Sequence, residues 1–258
     1  MYLKQLRHLA GVRKTVATDI LLEELQQQPL AHIWLLRAAG LWNNLVGGST
    51  FHLHILQDAV RLAIVGRARN WVNGLLEALD HAGYRPQLQA GELQAVDMGH
   101  LRSLLRAQQQ SVWGDLDICP RTTESEGARR CTYARWFRRP QWCRSSMLRL
   151  PLTRTAMQRL LRFRTGCHGL PRDLGSQQGV ARQDRICPLC KAGVGDEMHL
   201  VFECTALQDL RNAFAPIFEG AATMQQFMWQ PNLLQVSRFL DASMKRFRAI
   251  DPNDGSDI

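Results

Sequence analysis

Cys187, Cys190, His199 and Cys204 fall within one eighteen-residue stretch in the pattern C-x2-C-x8-H-x4-C, and no other part of the chain restricts its chemistry so tightly. Three thiolates and one imidazole satisfy a tetrahedral ion that accepts soft sulfur and borderline nitrogen. The pattern predicts a CCHC zinc knuckle holding one structural Zn2+. Pro188 fixes φ between the first two ligands, so both sulfurs can face one point in a tight turn. Gly193 and Gly195 let the chain reverse. His199 and Cys204 then return two ligands about one helical turn or slightly more apart, with Leu200, Val201 and Phe202 covering the site. The competing reading is a set of buried thiols beside a chance histidine, since free cysteine is mostly a small core residue. A close C-x2-C pair followed by this spacing argues against it. Four protein ligands leave no open coordination position, so such a site holds structure and does not activate water.

Charge supplies the second constraint. The net charge is +9, but residues 1–120 hold 11 basic and 10 acidic side chains, residues 121–185 hold 15 and 4, and residues 186–258 hold 6 and 9. The middle segment carries the whole excess, and all fifteen of its cations are arginine. Arginine presents a planar fork suited to phosphate, so a polyanion, RNA or DNA, is the expected partner. Within this segment Arg129, Arg130, Arg135, Arg138, Arg139 and Arg144 are interleaved with Tyr133, Trp136, Phe137 and Trp142. Guanidinium groups on phosphates and rings such as Trp136 stacked on bases are what a groove for single strands needs. The alternative is that the aromatics are core and the arginines cover it, with their stems packed and their heads in water. Arg162 and Arg164 extend the cationic run toward the knuckle, and Arg182 and Arg185 flank its first ligand. Nothing resembles the recognition helix of a sequence-specific finger, so backbone binding is expected over base reading.

At 258 residues with 45% hydrophobic content the chain can bury a sizeable core. The opening MYLKQLRHLAGVRK has no apolar run of signal-peptide length, and no segment approaches the roughly 20 apolar residues that span a bilayer. Seven cysteines, three of them assigned to the metal, do not form a disulfide framework. The expectation is an intracellular protein of nucleus or cytoplasm, not secreted and without a membrane partner.

The predicted fold is mainly α. Residues 1–110 read as a bundle-like helical part. Leu3, Leu6 and Ala10 share one face, Val16, Ile20, Leu21 and Leu25 a second, and Pro29 opens a helix carrying Ile33, Leu36, Ala39 and Leu41 to Gly47-Gly48. Helices are predicted over 51–65, 70–81 and 99–110, with a short extended piece over 86–98. Residues 111–150 lose periodicity and read as an irregular arginine- and aromatic-rich linker. Residues 151–250 form the zinc-binding part, with helices over 152–165, 205–218 and 221–248, the last interrupted at Pro231, and 251–258 are an acidic tail. A second metal site from Cys119, Cys131, Cys143, Cys167 and His168 lacks any C-x2-C pair. P-loop, nucleophile-elbow and H-E-x-x-H motifs are missing. Asp115 and Asp117 sit in a turn-rich segment, so no enzymatic activity is expected.

Two segments resemble a known family. Residues 6–45 look like the thumb and post-thumb helices of LINE-type non-LTR retrotransposon reverse transcriptases, and residues 160–214 are similar to their C-terminal CCHC region. The resemblance implies an accessory nucleic-acid-binding part of an enzyme that copies its own RNA at a nicked chromosomal target. It carries over Cys187, Cys190, His199 and Cys204 as ligands and the surrounding arginines as contacts. Fingers, palm and endonuclease are absent from this sequence. The resemblance therefore implies a fragment or remnant without polymerase activity, served by a polymerase core encoded upstream. The rival expectation is a zinc-stabilised protein–protein interaction module.

Overall fold

Apolar residues three and four positions apart generate nearly every element. The computed structural model describes residues 1–65, 70–85, 93–111, 128–138 and 151–250. Among them there is no strand. One isolated antiparallel bridge joins Ile186 to Val194, and the architecture is mainly α. The α-helices are α1 (Tyr2–Ala10), α2 (Thr18–Leu25), α3 (Leu30–Val46), α4 (Thr50–Ile64), α5 (Trp71–His81), α6 (Met98–Ser111), α7 (Ala128–Trp136), α8 (Arg154–Arg164), α9 (Pro171–Gln177), α10 (Gln208–Ala213), α11 (Met224–Trp229) and α12 (Leu233–Ile250). No helix among the described residues is long and apolar enough to cross a membrane. The acidic tail and the segments 112–127 and 139–150 of the expected linker lie outside the described residues.

The chain forms two compact units, Gln28–Gly114 and a discontinuous one made of Met1–Gln27 with Asp115–Ile258. In the first, α3 packs against α4, α5 and α6 around Leu35, Ala39, Trp42, Leu56, Leu75 and Leu101. The buried stripe of α3 runs through Leu35, Ala39 and Trp42, and Leu41, expected on that face, is 52% exposed. The helix begins at Leu30, with Pro29 one position earlier as its cap. Residues 93–97 are held to α3 without a strand. The Asn43 amide donates to the Val96 carbonyl (2.8 Å) and accepts from the Val96 N–H (2.7 Å), while Trp42 Nε1 donates to Gln94 O (2.9 Å).

In the discontinuous unit α8 and α12 form the central pair, α8 burying Leu160, Leu161 and Phe163 and α12 burying Val236, Phe239 and Leu240. Thr153 caps α8 by accepting from the Ala156 N–H (3.2 Å). Helix α1 lies on α8, tied by Arg162 Nε to Gly11 O (2.6 Å). The N-terminal residues, grouped by sequence with the first helical part, are therefore built into the unit that carries the C-terminal segment. Long-range partners cause this, and periodicity along α1 and α2 cannot encode them.

The tightest of these partners are charges. Glu24 on α2 meets Arg164 on α8 at 2.9 Å, with both side chains at most 1% exposed. Arg164 also donates to Phe137 O (3.3 Å) and lies 3.6 Å over the Trp229 ring, and the buried Tyr133 lies within reach of the Glu24 charge. Burial holds the Glu24 carboxyl above its usual range although Arg164 pulls it back. The pair thus specifies which elements meet more than it adds net stability. Helix α7 supplies Tyr133, and Phe137 follows directly after it, an i, i+4 pair of buried aromatics, so 128–136 is helical where an irregular segment was expected. Arginines on its other positions mask the apolar period.

Two outcomes follow for stability. Glu24→Ala leaves Arg164 buried without its counter-charge and is expected to cost about 3–5 kcal/mol in urea unfolding. Neighbouring Glu23, 3.7 Å from Arg138, is pushed up by burial to about 6 from an ordinary 4.5. Its folded state favours the neutral form, so its contribution is full below pH 4.5 and lost as pH rises through about 6. Stability of Glu23→Gln relative to wild type should therefore rise between those pH values and level off above them in urea melts.

Candidate metal centre

The metal-ligating candidates sit on a loop that closes on itself. Cys187 N–H donates to Gly193 O (2.7 Å) and Gly195 N–H to Arg185 O (2.9 Å), which folds 185–195 back around Cys190. Lys191 adopts φ 55°, the left-handed region, to turn the chain after Cys190. At Gly195 a Cβ would come within 2.7 Å of the Pro171 ring, so only glycine lets the loop lie against the start of α9. The chain then enters a π-helical turn, His199–Glu203, closed by Cys204 N–H donating to His199 O (2.7 Å). That wider turn brings residues five apart onto one side, where an ordinary helical turn pairs residues three or four apart.

One ligand atom from each of Cys187, Cys190, His199 and Cys204 lies within 4.8 Å of the others, and among the described residues this is the one such group. Cys187 Sγ and Cys204 Sγ are 3.8 Å apart, and Cys190 Sγ is 3.1 Å from His199 Nε2. The cluster could hold one metal ion. Cys187 and Cys204 are buried and Cys190 is partly exposed. Burial raises the Cys187 thiol, and burial with the adjacent Cys187 pushes Cys204 up to about 12. Burial also opposes ionisation of Cys190, but the Ala192 N–H and the neighbouring thiols hold it below its usual value. Sulfurs packed this closely cannot all ionise without a cation, so metal binding must displace protons.

Behind the ligands lies a buried ionic frame that the sequence reading did not find. Asp196 accepts from His199 N–H (2.9 Å) and from Arg182 Nη2 (3.1 Å). Glu197 accepts from Arg172 Nη1 at 3.0 and 2.9 Å and faces His168 Nε2 at 3.1 Å. Burial would raise the Glu197 carboxyl, yet Arg172 and His168 hold it far below the usual range. Arg172 reaches Thr132 on α7 as well. Glu203 sits 3.7 Å from His199 Nδ1, and Arg211 Nη2 donates to Cys204 O (2.5 Å). The only sequence clue was a pair of acids just before His199, following the basic stretch.

The fold engages several of the residues expected to contact nucleic acid. Arg185 is buried, its Nε and Nη2 donating to Val180 O at 2.8 and 2.6 Å, and Arg164 is paired with Glu24, so neither can reach a phosphate. Arg182 is largely buried on Asp196, and Arg138 largely buried near Glu23. Trp136, expected to stack on bases, is buried edge-on to Phe137, which in turn packs on Phe163. Phe137, just after α7, packs on Phe163 of α8 and accepts at its carbonyl from Trp229 Nε1 of α11 (2.9 Å). Arg162 is half-buried on Gly11 O, and Arg135 is exposed. The side chains of Arg129, Arg130 and Cys131, and all of Arg139, Arg144, Cys119 and Cys143, lie outside the described residues. The remaining members of the second metal set are engaged by the fold. Cys167 Sγ accepts from Arg13 N–H (3.2 Å), and His168 bridges Glu197 and the Leu170 N–H.

Against protein-family models, curated proteins and solved structures, this chain has no match. The site therefore has to be read from its own geometry. If the four donors share an ion, Cys187→Ser or a strong chelator should increase amide exchange across 185–207 and leave α3–α6 unchanged. Hydrogen exchange followed by mass spectrometry measures this, and identical exchange with and without chelator would show the ion to be dispensable.

Proposed function

We propose that the chain is an accessory nucleic-acid-binding protein, stabilised by one structural zinc, that holds RNA or DNA backbone with low sequence specificity. The observation that carries this reading is the convergence of three sulfurs and one imidazole. Thiolates at ~2.3 Å from a tetrahedral zinc stand about 3.8 Å apart, and Cys187 Sγ and Cys204 Sγ have that separation. Four protein donors leave water no place on the ion, so zinc here braces the loop and its buried acids. The similarity of 160–214 to the CCHC region of LINE-type reverse transcriptases supports the same role. On that view this chain acts beside a polymerase core supplied from elsewhere and has no polymerase activity itself.

Charge that remains at the surface supports the nucleic-acid partner. Arg135 and Arg154 are exposed, and Arg129, Arg130, Arg139 and Arg144 add to the same arginine-rich stretch of sequence. The rival interaction-module reading draws on the exposed Trp34, Leu41, Phe51 and Ile55 of the Gln28–Gly114 unit.

Elemental analysis is expected to return one zinc per chain. Gel retardation of single-stranded RNA and of nicked duplex should weaken linearly in log–log form with salt. Arg135→Gln with Arg139→Gln should reduce that slope by about 0.7–0.9 per cation removed. Retention of neither nucleic acid by zinc-loaded protein would favour the interaction module.

A further inference from the structure

Apart from the metal-ligating residues, the discontinuous unit contains a recess of about 540 Å3, its open mouth included, lined by Arg13, Arg159, Arg162 and Arg248 with Asp241 and Phe163. Its walls come from α8, α12 and the loop after α1.

The charges in this recess do not cancel. Asp241 answers Arg159 at 3.1 Å and is shared with Lys245, also at 3.1 Å. Arg13 has Asp173 at 3.6 Å, an ion pair without a hydrogen bond. Arg162 uses Nε on Gly11 O, and no described carboxylate pairs with its two terminal nitrogens. Arg248 is exposed, with no hydrogen bond or ion pair to any described residue. Among the described residues, two guanidiniums from two helices thus have no carboxylate partner above a partly apolar floor, where Coulomb attraction is stronger than in bulk water.

We propose that this recess binds a phosphate group. A tetrahedral oxyanion offers acceptor oxygens in several directions and can take forks from both α8 and α12, whereas a carboxylate presents one planar edge. The site requires neither the metal nor its ligands. The phosphate can belong to a nucleic-acid strand or to a free phosphate or mononucleotide, since the oxygen chemistry is shared.

The test uses the full chain at constant ionic strength, with inorganic phosphate titrated by calorimetry and by thermal melting against chloride. Saturable binding and a raised Tm are expected in phosphate. Arg248→Gln should leave Tm in chloride unchanged and weaken phosphate binding by about tenfold, the loss of one charge-assisted hydrogen bond. Arg162→Lys keeps the charge but loses the fork and should also weaken it. Competition by an unphosphorylated oligonucleotide assigns the site to backbone diesters. Competition only by its 5′-phosphorylated form or by a mononucleotide assigns it to terminal or free phosphate. Equal effects of phosphate and chloride, or wild-type affinity in Arg248→Gln, overturn the proposal. If RNA retention stays salt-dependent while phosphate binding fails, the recess is refuted and the nucleic-acid reading stands.

Discussion

Three buried carboxylates, Glu24, Asp196 and Glu197, decide where the arginine-rich half of this chain places its charge. Each claims a guanidinium, Arg164, Arg182 and Arg172 respectively, because a buried carboxylate without a counter-charge is far more costly than one with it. Those pairs join α2 to α8, the loop before the metal ligands to the π turn, and α9 to the same turn. A run of cations that would otherwise repel itself becomes the internal bracing of the unit.

The candidate metal centre depends on that bracing. Asp196 orients the backbone of His199, and Glu197 anchors the start of the π turn through Arg172 and His168. The four candidate ligands therefore stand on a frame whose own polar groups are paired, as metal sites generally require of the groups behind their ligands. On the far side of the π turn, Phe202, Phe218, Phe227 and Phe239 stack edge to face and fill the space toward α11 and α12. Hydrophobic packing and ionic bracing thus meet at a turn only five residues long.

Arginines that look equivalent in sequence have separated into two populations. Arg164, Arg172 and Arg185 are consumed by the interior, while Arg135, Arg154 and Arg248 face solvent. A count of positive charge over 121–185 therefore overstates what an external polyanion can meet. The recess bounded by Arg162 and Arg248 shows the converse. Arg248 belongs to the C-terminal part of the sequence that is acidic in total, yet it meets the basic stretch in space.

The helical class, the break at Pro231 and the grouping of four residues that could hold a metal were legible in the sequence, because period, proline chemistry and Cys/His spacing are local properties of the chain. Leu41 was misplaced by one position on its helix since several phases of α3 are apolar, and packing around Trp42 selected one. Helix α7 was hidden because arginines surround its buried Tyr133 and Trp136. Which arginine meets which acid, the joining of residues 1–27 to the C-terminal unit, and the inward turn of Trp136 were decided only by tertiary structure. These pairings join residues from 14 positions apart, as in Arg182 and Asp196, to 154 apart, as in Arg13 and Cys167, and pairing across such distances is set by the free energy of burying charge and apolar surface together.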